Sequence, residues 1–274
     1  MRKTFFSQFI LSALVLALPC TTAWAHESHG HDLTREGDAS ENLFYTELVL
    51  GASSADVWRG MVQNDEPVWQ PHAIFGIDLK GYGKVYGDVL FCFDATTRNR
   101  QTAFGGLNAI DYWAGYEVEL GGFVLGAGHI WYTYPKANGP DYEGSAREIF
   151  AMLSYKNEYV VPFIEGYYDY NVAEGVYALA GLRKEVQVAD PLSVGAEVSV
   201  GGGSGGMTRY YFDGRTSKTG LTDGNAALFA KYDLTDNLFL GARVAWTSLL
   251  DDRLKGVWFR DHTLWGGIEI GMTF

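Results

Sequence analysis

The segment that most constrains the fold of this chain is its last one, TLWGGIEIGMTF, from Thr263 to Phe274. Side chains alternate between the two faces of a β-strand. One face of this segment therefore carries Leu264, Gly266, Ile268, Ile270, Met272 and Phe274. The other face is mixed and includes Glu269. This pattern predicts a strand with one face in apolar surroundings and the other facing a polar interior.

The N-terminus has the three parts of a secretory signal peptide. Arg2 and Lys3 form a basic start, an apolar run extends from Phe5 to Leu18, and Ala23-Trp24-Ala25 is a small-x-small cleavage site. The alternative is an uncleaved membrane anchor, but the run is shorter than the roughly 20 residues that span a bilayer. We therefore predict a cleaved signal peptide over residues 1–25.

A polar tail without periodicity follows, over residues 26–41. It contains His26, His29 and His31 close together, beside acidic residues. Imidazoles at this spacing can bind zinc, copper or nickel, which makes the three histidines a candidate metal site. Composition alone supports a solvated tail more strongly than a metal site.

Residues 42–274 read as alternating segments, about twelve in number, joined by connections that are long and short in turn. The first segment is Leu43 to Gly60, and the longest connection is Gly202 to Gly224. The short connections contain Gly-Gly, Asp-Pro and similar pairs, which are typical of tight hairpin turns. These features predict an all-β fold: a transmembrane antiparallel up-and-down β-barrel of about 12 strands.

The final strand also resembles the assembly signal of bacterial outer-membrane β-barrels, with Phe274, Met272 and Ile270 as its apolar residues. The resemblance implies the outer membrane of a Gram-negative-type bacterium, with membrane lipid and the barrel-assembly machinery as partners. An even strand number places both termini on the periplasmic side. The composition, 15% aromatic with 34 Gly, suits such a barrel. Aromatic residues near the strand ends, Trp58, Trp69, Trp131, Tyr132, Tyr134, Tyr168, Tyr170 and Trp246, are expected to form a girdle at the membrane interface.

Charged residues are expected to face inward, because an Arg or Lys in the bilayer midplane costs about 2–4 kcal/mol. The candidate pore-lining residues are Arg59, His72, Asp88, Asp111, Glu117, His129, Glu148, Glu165, Arg183, Glu197, Lys231, Arg243 and Glu269. Acids exceed bases in the wider inward set, which favours cations over anions in a wet lumen. The sequence therefore predicts a porin-like channel for passive diffusion of small hydrophilic solutes.

Two alternatives for the function remain open, and a soluble periplasmic β protein remains open as an alternative fold. Barrels of about 8 strands are filled by side chains and those of about 16–18 are open channels, so a 12-stranded lumen is either plugged or open. A plugged barrel would serve a structural or adhesive role and display its outer loops. A lipid-modifying enzyme would need a supported Ser–His pair, and the pattern pairs no serine with His72, His129 or His262. We therefore predict no enzymatic activity and no cofactor.

Charge and cysteine content exclude further classes. Loss of a signal peptide with two basic and no acidic residues changes the formal charge from −12 to −14, so nucleic acid is not an expected partner. Cys20 leaves with the signal peptide, and Cys92 alone cannot form an internal disulfide.

One segment, Ser54 to Leu79, resembles the first hairpin of the TorF-like porins. In that family an aromatic-Arg-Gly step ends the first strand, a polar loop with Pro follows, and the second strand starts near a Gln. Here these elements are Trp58-Arg59-Gly60, Asp65-Glu66-Pro67 and Gln70. The resemblance covers about a tenth of the chain and implies a porin-like protein without a defined substrate. From the residues alone, Arg59 is expected at the outer mouth, paired with Asp65 or Glu66.

Overall fold

The structure, a computed structural model, describes residues 43–98, 105–135 and 145–274. The predicted signal peptide and the tail with His26, His29 and His31 lie outside the described residues. Among the described residues, no helix is long and apolar enough to cross a membrane.

Twelve antiparallel strands form a closed barrel, as the alternating pattern predicts. The strands of the barrel are β1 (Phe44–Ser53), β4 (Val68–Asp78), β5 (Lys84–Asp94), β6 (Leu107–Leu120), β7 (Phe123–Thr133), β8 (Ser145–Tyr155), β9 (Val161–Asp169), β10 (Gly175–Ala189), β11 (Leu192–Gly203), β12 (Gly220–Asp233), β13 (Leu238–Leu249) and β14 (His262–Thr273). Each strand pairs with its neighbours in sequence, except that β1 pairs with β4 and β14. A separate two-stranded sheet contains β2 (Asp56–Trp58) and β3 (Met61–Asn64), and one short helix, α1, spans Gly205–Tyr211.

The last strand closes the barrel against the first. Leu48 lies opposite Met272 and Leu50 opposite Ile270, so the apolar face of the terminal strand continues across the seam. The backbone N–H of Phe274 donates to the carbonyl of Thr46 at 2.9 Å. The closed sheet therefore has no free edge at its terminal strands.

The alternation of side chains separates an apolar exterior from a polar interior. Leu228 is 66% exposed and Leu264 is 72% exposed on the outer surface, where a bilayer would cover them. Asp88, Asp111 and Glu148 are at most 1% exposed on the inner surface. This is the arrangement expected of a transmembrane barrel, in which lipid replaces water outside the wall.

Short and long connections lie at opposite ends of the barrel. The end with the short turns, such as Gly121-Gly122, is called here the turn rim, and the opposite end is called the loop rim. Both glycines have positive φ, 59° and 86°, which a tight turn between two strands requires. Phe44 and Phe274 both lie at the turn rim, so the described N-terminal end and the C-terminus meet there.

Two predicted boundaries are wrong. The first barrel strand ends at Ser53 instead of continuing to Gly60, and the residues after it form the β2–β3 hairpin. This segment has apolar side chains on both of its faces. A wall strand would turn one of these faces toward the polar lumen, whereas inside the barrel both faces pack against other side chains. The longest connection is shorter than expected, because β12 already begins at Gly220 and α1 occupies part of the remaining loop.

Candidate functional site: a hairpin inside the lumen

The β2–β3 hairpin lies inside the barrel and is buried almost completely. Val57, Met61 and Val62 are 0% exposed, and Trp58 is 3% exposed. The turn between the two strands is Arg59-Gly60, with positive φ at both residues, 49° and 76°. Two successive positive φ values give a tight turn that matches the twist of a hairpin. The Trp-Arg-Gly step is therefore the tip of a lumen hairpin and not the end of a wall strand.

One face of the hairpin packs against aromatic side chains of the wall. Trp58 makes an edge-on contact with Tyr132 of β7, with ring centroids 5.9 Å apart. Trp58 and Met61 belong to a buried cluster that includes residues of six consecutive wall strands, namely Tyr86, Trp113, Ile130, Tyr132, Phe150, Tyr167, Tyr177 and Leu179. The prediction that Trp58, Tyr132 and Tyr134 lie in the membrane-interface girdle is wrong, because Trp58 and Tyr132 are buried in this lumen cluster and Tyr134 packs against it.

The other face of the hairpin packs against β5 and against strands β12 to β14. Val57 and Val62 belong to a second buried cluster, which contains Cys92 of β5, Ala227, Ala245 and Trp265. The hairpin is therefore in contact with wall strands on both of its sides. At the level of the hairpin, protein side chains occupy the lumen.

Arg59 anchors the tip of the hairpin. Its Nη1 and Nη2 atoms donate to Glu148 Oε1 and Oε2 of β8 at 2.7 and 2.6 Å. The guanidinium carbon lies 4.4 Å from the ring centroid of Trp58 and 4.6 Å from those of Tyr167 and Tyr177. Bidentate hydrogen bonds and aromatic faces are the two contacts that a planar guanidinium makes best. The expected partners of Arg59, Asp65 and Glu66, are thus wrong.

The two loop acids pair with other residues instead. Asp65 lies 3.1 Å from a guanidinium nitrogen of Arg260, in the connection before β14. Glu66 lies 3.8 Å from Arg98, a largely exposed side chain. These pairs join the base of the hairpin to neighbouring loops.

Gly60 brings the hairpin tip close to β12. A Cβ atom at this position would lie 2.3 Å from Cβ of Asp223, well inside van der Waals contact. Glycine is therefore required here both by the positive φ and by the close approach of the wall.

Polar contacts fix the base of the hairpin. Asn64 donates from Nδ2 to Oδ1 of Asp94 at 2.7 Å, and Asn108 donates to the same oxygen at 2.6 Å. Cys92 Sγ lies 3.7 Å from Oδ2 of Asp56, which places the buried thiol against the first strand of the hairpin.

Two loops cover the hairpin at the loop rim. Tyr211 of α1 lies edge-on against Trp58, with centroids 4.8 Å apart, and donates its hydroxyl to Asp169 at 2.9 Å. Trp258, in the connection between β13 and β14, donates its indole N–H to the carbonyl of Tyr211 at 3.1 Å. Arg215 donates to the carbonyls of Lys255 and Gly256 and thereby joins the two loops.

Charged side chains line the lumen wall outside the hairpin. Glu197 lies between Arg243 at 3.5 Å and Arg183 at 3.9 Å. Asp88 lies 3.5 Å from Nδ1 of His72. Except for Arg59 and His129, the predicted pore-lining residues lie at inward-facing positions of the wall strands. They are His72, Asp88, Asp111, Glu117, Glu148, Glu165, Arg183, Glu197, Lys231, Arg243 and Glu269. A pore-lining role for them stays a prediction.

Aromatic rings lie next to several of these charged side chains. The charged groups of Arg183 and Lys231 lie 4.8 Å and 4.6 Å from the rings of Phe229 and Phe239. Glu165 accepts a hydrogen bond from the hydroxyl of Tyr167 at 2.7 Å. Many of the lumen charges therefore have a partner that limits the side-chain rearrangement open to them.

The prediction that His129 faces the lumen is wrong, because His129 lies on the outer face of β7. It shares the outward positions of β7 with Leu125 and Trp131, which are 40% and 45% exposed. Its Nε2 lies 2.8 Å from the hydroxyl of Tyr170, which is also outside the barrel. One signal in the sequence pointed outward: His129 shares its face with Trp131, a residue of the expected membrane-interface girdle.

Metal binding has no structural support within the part of the chain that the structure describes. No group of three or more His, Cys, Asp or Glu side chains there is arranged to hold a metal ion.

Comparisons with known proteins support the fold. No family model matches the chain, and no curated protein does so. Among solved structures, the chain is similar to the COG4313 outer membrane channel from Pseudomonas putida F1, with 12% identity, 84% of this chain and 95% of that chain covered, and a TM-score of 0.52. It also matches the NanC porin, with 11% identity, coverage of 84% and 98%, and a TM-score of 0.49. At this identity the likeness to the Pseudomonas channel shows a shared outer-membrane barrel fold.

Proposed function

We propose that the protein is a porin-like outer-membrane channel for small hydrophilic solutes, and that the β2–β3 hairpin is the element that closes it. One observation carries the proposal: the hairpin forms a sheet of its own, separate from the closed barrel sheet. Its displacement would leave the hydrogen bonds between the wall strands intact. The wall around it carries ionisable side chains that suit a hydrated path.

The charge of the wall favours cations. Among the predicted pore-lining residues that face inward from the wall, acids outnumber Lys and Arg. Each of the bases Arg183 and Arg243 already lies beside Glu197. Carboxylates without a basic neighbour would give a hydrated lumen a negative potential, which raises the local concentration of cations.

A permanently plugged barrel is the second candidate, and the apolar packing of the hairpin supports it. Fully burying a large apolar side chain is worth about 1.5–3 kcal/mol. Transfer of Val57, Trp58, Met61 and Val62 to water would therefore cost on the order of 6–12 kcal/mol. Opening would be rare unless a ligand, a voltage or a partner stabilised the displaced hairpin.

A disulfide can distinguish a gate from a fixed plug. The substitution Asp56→Cys places a second thiol beside the native Cys92, because Asp56 Oδ2 and Cys92 Sγ lie 3.7 Å apart. Oxidation should then tie the hairpin to β5, and Asp56→Ser is the matched control. Conductance is measured in planar bilayers, with voltage ramps, before and after oxidation and after reduction.

A gated channel predicts opening events in the wild-type protein and in Asp56→Ser. In the Asp56→Cys variant, oxidation should abolish these events and reduction should restore them. A wild-type protein that never conducts, together with a reduced variant that never conducts, would reject the channel and support the plugged barrel. Events that continue after complete oxidation would show that the hairpin is not the gate.

The location and orientation form part of the proposal. The turn rim, with Phe274, would face the periplasm and engage the barrel-assembly machinery, and the loop rim would face outward.

Absence of enzymatic activity stays a prediction. His72 lies 3.5 Å from Asp88, and Nε2 of His129 lies 2.8 Å from the hydroxyl of Tyr170.

A further inference from the structure

Arg147 is a cation on the lipid-facing surface of the barrel. It occupies an outward position of β8, two residues before Ile149, which is 51% exposed on that surface. Among the outward strand positions that the structure describes, only Arg147 and Lys184 carry an Asp, Glu, Lys or Arg side chain. Because hydrocarbon does not solvate charge, each of these two cations needs a polar neighbour.

Lys184 obtains its neighbour from the protein. Its ammonium group donates to the backbone carbonyl of Glu158, in the turn between β8 and β9. It lies in the half of the barrel toward the turn rim. Lys184 therefore has a hydrogen-bond acceptor within the protein.

Arg147 has no acidic neighbour among the residues that the structure describes. Within the described part of the chain, no carboxylate forms an ion pair with its guanidinium, and its Nε makes no hydrogen bond. The guanidinium carbon lies 4.8 Å from the ring centroid of Trp131, directly across the β7–β8 pair. The aromatic face fixes the orientation of the guanidinium and leaves its positive charge available.

The backbone around Arg147 is held firmly. Its N–H donates to Oδ1 of Asn171 at 2.6 Å, and its carbonyl accepts from the N–H of Tyr170 at 3.2 Å. Tyr170 carries its ring across to His129, where the two side chains meet at 2.8 Å. Arg147, His129 and Tyr170 therefore lie at neighbouring outward positions of β8, of β7 and just after β9, and they are called here the outer polar group.

The height of this group matches the membrane interface. Arg147 is the third residue of β8 counted from the loop rim, and Trp131 lies two residues before the end of β7 at the same rim. The exposed rings of Tyr112, Trp131, Tyr168 and Tyr170 surround it. Tyr and Trp concentrate where the headgroups begin.

We propose that Arg147, with Tyr170 and His129, binds the phosphate of an anionic lipid headgroup in the leaflet at the loop rim. A guanidinium presents two parallel N–H donors that match two phosphate oxygens. The hydrogen-bonded pair of Tyr170 and His129 adds polar groups on the same outer surface. The acyl chains of the lipid would lie along the apolar wall below, over Ile149 and Leu125.

Lipid binding can be measured directly on the purified full-length barrel. Native mass spectrometry gives the fraction of protein that carries bound lipid A during titration with bisphosphorylated lipid A, with phosphate-free lipid A, and with inorganic phosphate as competitor. The variants are Arg147→Gln, Tyr170→Phe, and Lys184→Gln as the matched control on the same surface. Circular dichroism and the thermal transition confirm that each variant is folded.

The wild-type protein and Lys184→Gln should bind bisphosphorylated lipid A equally. Arg147→Gln should weaken this binding by about tenfold or more, as expected for loss of a charge-assisted bidentate contact. Removal of the lipid phosphates should weaken wild-type binding to the same degree and should not affect Arg147→Gln. Equal binding by Arg147→Gln, or by phosphate-free lipid A, would overturn the proposal. Displacement of the lipid by millimolar inorganic phosphate would assign the group to free phosphate and would also overturn it.

Discussion

Arg59 and Glu148 form a bidentate ion pair inside the barrel, with nitrogen–oxygen distances of 2.7 and 2.6 Å. The side chains are 5% and 0% exposed. Arg59 lies at the tip of the lumen hairpin and Glu148 lies on wall strand β8, so this pair joins the two. Desolvation offsets much of the attraction of a buried pair, and loss of one partner leaves the other charge uncompensated.

Replacement of Arg59 alone by Met should therefore destabilise the barrel by about 3–5 kcal/mol, because Glu148 stays buried without its cation. The double variant Arg59→Met/Glu148→Met should recover most of this loss. The free energy of unfolding in urea, measured in detergent micelles, provides the comparison. A double variant no more stable than Arg59→Met would show that the guanidinium stabilises the hairpin mainly through its aromatic contacts.

Gly60→Ala should destabilise the protein more than Gly81→Ala, although both glycines have positive φ. Gly81→Ala is the matched control, because its φ is 91° and no atom lies within 4 Å of an added Cβ. Both variants carry backbone strain of about 1–3 kcal/mol. Gly60→Ala also forces a Cβ to within 2.3 Å of Asp223. Thermal unfolding should show the larger decrease for Gly60→Ala, and equal decreases would contradict the close approach of hairpin and wall.

Carboxylates of the lumen should control ion preference once the hairpin is absent. In a variant with residues 55–65 replaced by a short Gly-Ser linker, Glu117→Gln and Glu148→Gln should each lower the cation-to-anion permeability ratio, because each removes a carboxylate from the wall. Glu158→Gln, an exposed carboxylate in a turn at the rim, serves as the control. Reversal potentials under a salt gradient measure the ratio. An unchanged ratio in both lumen variants would contradict the proposed selectivity.

Phe274→Ala should impair assembly more than stability. Phe274 is 62% exposed, and its N–H bond to Thr46 uses only the backbone. The folded barrel should therefore lose less than about 1 kcal/mol. Phe44→Ala removes an exposed ring, 66% exposed, at the same rim and serves as the control. The amount of folded barrel in the outer membrane should fall for Phe274→Ala only, and equal amounts for both variants would argue against an assembly signal.

The loop between β13 and β14 contains an ion pair that should persist in acid. Hydrogen bonds from the Arg253 side chain lower the pKa of Asp251 from 3.8 to about 2. Because this folded-state pKa is depressed, the pair stabilises the loop above about pH 3.8, and that contribution is lost as the pH falls toward about 2. Carbonyl-carbon NMR should place the Asp251 titration near pH 2. Its midpoint should rise in Arg253→Gln, and an unchanged midpoint would refute the assignment to Arg253.

The barrel itself could be predicted because its signal is local. Each wall strand faces lipid on one side and the lumen on the other. Strands such as β14 therefore show a period-two pattern of apolar and polar residues in the sequence. The apolar pairs Leu48–Met272 and Leu50–Ile270 extend that pattern across the closing seam. Most of the predicted lumen residues, Glu197 and Glu269 among them, follow from the same alternation.

The hairpin could not be predicted in this way, because its partners are distant in sequence. Arg59 and Glu148 are 89 residues apart, and nothing near Arg59 indicates which acid it meets. Two signals were present: apolar residues on both faces of residues 55–62, and an Arg-Gly step suited to a positive-φ turn. His129 was misplaced because both faces of β7 carry apolar side chains, Val124 and Ile130 on one and Phe123 and Leu125 on the other, so the alternation does not show which face is inward.

The sequence by itself determined the twelve-stranded barrel, its apolar exterior and its alternating turns, because these depend on the repeating solvent contacts of single strands. Only the tertiary structure decided what occupies the lumen. The position of Trp58 among Tyr132 and Tyr211, and the pairing of Arg59 with Glu148, depend on which wall surfaces face each other once the barrel has closed. Strand alternation specifies which residues of a strand face inward. The contacts across the lumen are set by the register and curvature of all twelve strands together.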